Sequence, residues 1–116
     1  MEARAVTVEQ PDVVDFLSED PDSGRVVLTI SDHLPWTDGG HRKTLEKKVE
    51  AYLRFIGGTD LVDRYPDLAE RGTAIEIVLE HAPPQEAIAF LENLKDLVKG
   101  TGVDFFYLEL PSRYRE

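Results

Sequence analysis

The sequence predicts an α+β or α/β fold, in which a four-stranded sheet and two helices form a two-layer sandwich. Short apolar runs typical of strands alternate with two longer segments that carry a helical apolar stripe. The length of 116 residues fits one domain with one core. Hydrophobic residues at 41% and charged residues at 31% are typical of globular proteins. The predicted order is β-β-α-β-α-β within a single domain.

The N-terminal third of the chain predicts a β-hairpin. Residues 1–11 are expected to form a loose leader, and apolar runs at residues 13–17 and 25–31 predict the first two strands. Between them, residues 19–24 are rich in turn formers, including a Pro and a Gly.

A loop over residues 32–40 is followed by a predicted helix over residues 41–56. Its apolar residues recur at helical spacing, and Gly57-Gly58 is a typical helix end. The members of the stripe are Leu45, Val49, Tyr52, Leu53 and Ile56.

The second half of the chain predicts a short helical turn, a strand, a helix and a last strand. The turn lies near residues 60–65, and Pro84 suits the start of the helix. The three longer elements are expected over residues 73–80, 85–99 and 103–110. Residues 111–116 are expected to fray, and the sequence leaves the strand order open.

Composition excludes several classes of function. The chain has no cysteine, which excludes disulfides and thiolate chemistry. A net charge of -10 disfavours nucleic acid as a partner. The sequence lacks a signal peptide and any apolar run of about 20 residues, so we expect a cytoplasmic protein without a membrane partner. No cofactor motif is present, and we expect no cofactor.

The loop after the second strand holds the residues best suited to chemistry, because ligands often bind where a strand leads into a helix. The candidate ligand site comprises Asp32, His33, Trp36, Asp38 and His41. One hypothesis is a metal site formed by His33, Asp38 and His41, and another is acid–base catalysis by Asp32 and His33.

A structural interpretation of the same loop stays open. Asp32 would accept backbone N–H bonds, Thr37 or Asp38 would cap the following helix, and Trp36 would close the end of the core. The basic residues Arg42, Lys43, Lys47 and Lys48 are interpreted as a solvated helix face, within the one segment of the chain that is net basic.

An uncovered sheet face is the main argument for association. Two helices cover one face of four strands, yet the strands are not uniformly polar on the other face. The candidate interface comprises Val27, Thr29, Val78, Phe106 and Leu108. We therefore expect a homodimer that packs through the sheet. The alternative is that the N-terminal leader folds over this face.

The run from Arg25 to Trp36 resembles the V-V-L-T-I-x-D-H-L-x-W core of a small bacterial family of unknown function. The likeness continues through Tyr52-Leu53-Arg54-Phe55-Ile56 and Tyr65-Pro66, and it covers about residues 12–110. The resemblance implies no catalytic role, cofactor or binding residue.

Three functions remain open from the sequence. The first is a non-catalytic homodimeric interaction or regulatory protein. The second is an immunity-type inhibitor of a basic partner protein, to which strong acidity would steer the chain. The third is a small-ligand binder or enzyme that uses the loop between Asp32 and His41.

Overall fold

Four strands form one mixed sheet in the computed structural model of the chain, which describes residues 16–37 and 39–110. Four helices accompany the sheet in this part of the chain, which gives the domain an α+β architecture. In chain order the elements are β1 (Phe16–Glu19), β2 (Val26–Asp32), α1 (His41–Gly57), α2 (Asp60–Arg64), α3 (Leu68–Arg71), β3 (Thr73–Leu79), α4 (Gln85–Lys99) and β4 (Asp104–Glu109).

The strand order, which the sequence leaves open, follows the chain as β1-β2-β3-β4. Strand β1 pairs antiparallel with β2, whereas β2–β3 and β3–β4 are parallel pairs. Both parallel connections therefore step across the sheet in the same direction. Since such connections are almost always right-handed, α1 and α4 belong on the same face of the sheet.

The turn between β1 and β2 is built by an aspartate and a glycine. Asp20 Oδ1 accepts the backbone N–H of Asp22 at 2.9 Å, and the Gly24 N–H donates to the Asp20 carbonyl at 2.8 Å. Gly24 adopts a φ of 78°, which favours glycine. The hairpin predicted for this segment is therefore confirmed, with β1 ending at Glu19.

The core lies between the sheet and the two long helices. Register places Leu28 beside Ile75, and Ile75 beside Phe105, on the buried face. Helix α1 contributes Leu45, Val49 and Tyr52, and α4 contributes Leu91, Leu94 and Val98. The buried positions of both helices recur at helical spacing, as predicted, but Leu97 of the stripe predicted for α4 is 52% exposed.

The opposite face of the sheet carries the predicted interface residues. Thr29 lies in register with Glu76, and Val78 with Leu108. Val27 and Thr29 are buried and Val78 is partly buried, whereas Phe106 is 36% exposed and Leu108 is 41% exposed. Among the side chains that the structure describes on this face, the accessible apolar surface is thus concentrated on β4.

Where the residues are described, the predicted bounds match α4 in full and fall within two residues elsewhere. The predicted order of six elements is compatible with the structure, in which α2 and α3 occupy residues 59–72 where only one short turn was expected. Leu61 and Leu68 are buried there, which anchors these short helices to the core. Residues 13–15 of the predicted first strand, the leader and the tail lie outside the described residues.

Candidate functional site

The predicted loop site is organised around a contact between Asp32 and His41. Asp32 is the last residue of β2, and His41 is the first residue of α1. Asp32 Oδ2 lies 2.6 Å from His41 Nε2, and the two residues are 2% and 1% exposed. A carboxylate only accepts hydrogen bonds, so the imidazole Nε2–H is the donor in a contact with the ionised Asp32. The pair joins the end of the strand to the start of the helix.

Asp32 uses both of its carboxylate oxygens. Oδ1 accepts the backbone N–H of Leu34 at 3.2 Å, as expected for an aspartate that organises a loop. Because a buried carboxylate is costly unless it is paired and hydrogen-bonded, these two contacts explain how Asp32 is accommodated in the interior.

Trp36 covers the buried pair from the loop side. Its ring lies 3.9 Å from the His41 ring, centroid to centroid, with the two planes tilted by 32°. Its indole N–H donates to the His81 carbonyl at 3.1 Å. Trp36 therefore links the loop after β2 to the loop after β3, in agreement with its predicted structural role.

The other nitrogen of His41 has no such partner. Within the described part of the chain, Nδ1 is buried and makes no hydrogen bond. Buried polar atoms are hydrogen-bonded in the great majority of cases, so an exception in a site of this kind requires an explanation.

Within the described residues, the N-terminus of α1 has no side-chain cap and no acidic residue in its first turn. The N-cap residue is Gly40, it makes no side-chain cap bond, and no acidic residue lies in the first turn. The interpretation of Thr37 as the cap is wrong, because the N-cap residue is Gly40, three residues later. Asp38, the other predicted cap, lies outside the described residues.

The structure pairs Asp32 with a different histidine from the one predicted. The acid–base hypothesis joined Asp32 to its neighbour His33, whereas the carboxylate contacts His41. His33 is partly buried. Across residues 16–37 and 39–110, no group of three His, Cys, Asp or Glu residues could hold a metal ion. Asp38, a member of the predicted metal site, is not among those residues.

Sequence reasoning missed the burial of two residues on α1. Lys48 is fully buried, with Nζ 5.3 Å from the centroid of the Tyr52 ring, so the prediction that it lies on a solvated face is wrong. The spacing of His41 and Lys48 along the helix indicated that both are buried. His41 lies four residues before Leu45 and Lys48 three residues after it, which places both on the apolar stripe.

An open groove lies elsewhere on the molecule, between α1 and α4. It has a volume of about 340 Å³, and its lining residues are Glu46, Phe90, Asn93, Leu94 and Leu97. None of the predicted loop residues contributes to it. Among the described residues, no helix combines the length and apolar character that a membrane crossing requires.

The fold and the site define a small α+β domain with a buried carboxylate–imidazole pair at the strand-to-helix junction. The sequence model of one protein family matches residues 6–110, which is most of the chain. The protein therefore belongs to the family of unknown function DUF6572. No curated protein and no solved structure matches the chain.

Proposed function

We propose that this domain is a cytoplasmic, non-catalytic interaction protein that acts as a homodimer. In this proposal the domain is a two-layer sandwich, and two copies meet through the sheet face opposite α1 and α4. The observation that carries it is the exposure of Phe106 and Leu108 on strand β4, on the face opposite α1 and α4.

The free energy gained by burying Phe106 and Leu108 determines how much of this face a dimer has to cover. Fully burying a Phe or Leu side chain contributes roughly 1.5–3 kcal/mol, so the exposed parts of Phe106 and Leu108 supply about 1 kcal/mol each. Four such side chains in a symmetric dimer give about 4 kcal/mol, which matches only the lower end of the cost of association. Val78, which is partly exposed on the same face, therefore has to be covered as well.

The charges on this face favour a second copy as the occupant, despite the net charge of -10. Glu76 Oε1 accepts the Thr29 hydroxyl at 2.9 Å. Asp104 binds Arg25 and lies 3.6 Å from Lys99 Nζ. Asp104 is thus paired with two cations within one chain, whereas Glu76 is hydrogen-bonded but keeps its charge; the pairing of Asp104 reduces the repulsion between two identical faces.

Light scattering coupled to size exclusion tests the proposal across the micromolar range. We expect the wild-type mass to approach twice the 13.1 kDa of one chain as the concentration rises. Leu108→Asp should shift the protein to monomer, because it places a charge in the interface. Ile88→Asp is the matched control, since Ile88 is 42% exposed on α4 and should leave the dimer intact.

Two results would overturn the dimer. One is a wild-type monomer at high micromolar concentration, and the other is an equal effect of Leu108→Asp and Ile88→Asp. The alternative of an immunity-type inhibitor is supported by the net charge alone, which makes the dimer the better-supported proposal.

A further inference from the structure

The edge of the sheet at β4 lacks the residues that usually block such an edge. In the described sheet β4 pairs with β3 alone, so one side of its backbone faces outward. Natural proteins protect edges of this kind with lysine, with proline or with a very short strand. The six residues of β4 include no lysine or proline, and the acidic residues Asp104 and Glu109 stand only at its two ends. The residues between them are therefore suited to pairing with a further strand.

The hydrogen bonds to β3 show which backbone groups of β4 are already used. Leu79 lies opposite Glu109, and the Leu110 N–H donates to the Leu79 carbonyl at 2.8 Å. In a parallel ladder, alternate residues direct both their N–H and their C=O to the same neighbouring strand. Leu108 and Phe106 therefore face β3 in the same way as Leu110.

The backbone groups of Tyr107 are directed outward by the same alternation. Phe105 shares this direction, and its N–H donates to the side-chain Oδ1 of Asp104 at 2.9 Å instead of to β3. No acceptor for the Tyr107 N–H is found in residues 16–37 and 39–110. The N–H and the C=O of Tyr107 are thus available to a strand from outside the described sheet.

A second copy of β4 fits this edge in one antiparallel register. A two-fold axis places one residue opposite itself, and that residue needs outward-facing backbone groups to exchange two hydrogen bonds. With Tyr107 on the axis, residues 104–110 of the two copies overlap completely. Phe105 on the axis would pair only residues 104–106 of each strand, and Glu109 on the axis would place two carboxylates directly opposite each other.

The side chains of the two copies also match in this register. Phe106 of each copy lies opposite Leu108 of the other, in a non-hydrogen-bonded pair, where side chains approach most closely. These two residues are 36% and 41% exposed in the single chain, so the pairing covers apolar surface on both copies. The acidic residues at the two ends of β4 lie opposite Leu110 and Phe105, so no two carboxylates face each other.

We propose that a second copy of this chain adds its β4 antiparallel to β4, about a two-fold axis at Tyr107, and forms one continuous sheet. The occupant is a second copy because one register satisfies the backbone groups, the apolar contacts and the charges of this edge together. The contact uses the strand edge and a different axis from the face-to-face contact, so it does not depend on the proposed function. Either contact alone gives two chains, and both together give four.

Amide hydrogen exchange, followed by NMR from micromolar to millimolar protein concentration, tests the pairing on the wild-type chain. We expect the protection of the Tyr107 N–H to rise with concentration, whereas the Phe106 N–H, which faces β3, stays protected throughout. In a mixture of isotope-labelled and unlabelled chains, the α-protons of Phe106 and Leu108 should show a contact between chains. An unprotected Tyr107 N–H overturns the proposal. Protection that does not depend on concentration also overturns it, because a single chain then covers its own edge.

A pair of variants at Tyr107 tests the hydrogen bonds on the axis. Tyr107→Pro removes the outward N–H without removing a bond to β3, so an edge strand accommodates it. Tyr107→Ala is the matched control, since it loses the same side chain and its bond to Glu92 Oε2 but keeps the N–H. Tyr107→Pro should associate at least about tenfold more weakly than Tyr107→Ala, because the symmetric pair loses two hydrogen bonds.

Light scattering on the same variants separates the edge contact from the face-to-face contact. A monomeric Tyr107→Pro beside an associated Tyr107→Ala supports the edge contact and overturns the face-to-face contact. Four chains in the wild type and two in Tyr107→Pro support both contacts. A dimer that Tyr107→Pro leaves unchanged overturns the edge contact alone, and a monomeric wild type at millimolar concentration overturns both. If Tyr107→Pro does not fold, the exchange of the wild-type Tyr107 N–H decides.

Discussion

The Asp32–His41 contact allows a direct test of what a buried carboxylate–imidazole pair contributes to this fold. Asp32→Ala removes the acceptor of both the His41 ring and the Leu34 N–H. Breaking a buried pair by removing one partner costs about 3–5 kcal/mol. A domain of this kind has a free energy of unfolding of roughly 5–15 kcal/mol, so the loss is a large share of its stability.

Urea denaturation followed by circular dichroism measures this loss. With a denaturant slope of roughly 1.5 kcal/mol per molar urea, we expect the unfolding midpoint to fall by about 2–3 M. Asp32→Asn should lose less, because its side-chain oxygen still accepts one of the two N–H groups. If Asp32→Ala does not fold, the loss of stability is measured on Asp32→Asn instead.

A double-mutant cycle with His41→Leu separates the pair from its surroundings. Because each single change leaves the other partner buried and unsatisfied, the double variant should lose about 1.5–3 kcal/mol less than the sum of the single losses. Glu19→Ala is the control, since it breaks the exposed Arg71–Glu19 contact and should leave the midpoint almost unchanged. An additive cycle, or a loss below about 1 kcal/mol for Asp32→Ala, would refute the reasoning.

Two further predictions concern pH and backbone strain. Burial acts to raise the pKa of Asp104, but the Arg25 guanidinium and the Phe105 N–H outweigh it and hold the pKa below its ordinary value. The stabilisation of the fold by the Asp104 carboxylate is present above a pH of about 3.9, and it is lost as the pH falls through the lowered pKa. The urea midpoint of Asp104→Asn should therefore fall less steeply in acid than the midpoint of the wild type. Parallel curves of midpoint against pH for the two proteins would contradict this. Gly72 has a φ of 81° and a ψ of 166°, so Gly72→Ala should cost about 1–3 kcal/mol in urea denaturation. Gly57→Ala, in helical backbone with open space around it, should instead stabilise by about 0.5 kcal/mol, and equal effects of the two changes would argue against strain at Gly72.

The two long helices and the three later strands were predictable because their apolar residues repeat over enough positions to reveal a period. Helix α4 carries such a stripe over its full length of 15 residues, and its bounds were predicted correctly. Helices α2 and α3, with five and four residues, are too short to show a period. What stabilises them is the burial of Leu61 and Leu68, which depends on the tertiary structure.

The candidate site was predictable as a location but not as a set of contacts. The position of Asp32, His41 and Trp36 between a strand and a helix followed from the pattern. The pairing of Asp32 with His41 rather than His33 depends on how the intervening loop closes, and local sequence does not fix this. The spacing of Lys48 along the helix indicated that it is buried, but the charge of a lysine side chain favoured a solvated position.

The stacking of Trp36 on His41 also makes the site observable by tryptophan fluorescence. The chain contains one tryptophan, so its fluorescence arises from a single position. That indole contacts the imidazole and the loop after β3 at the same time. Any change in emission wavelength or lifetime therefore originates where strand, loop and helix meet, and the unlabelled protein can be followed there in real time.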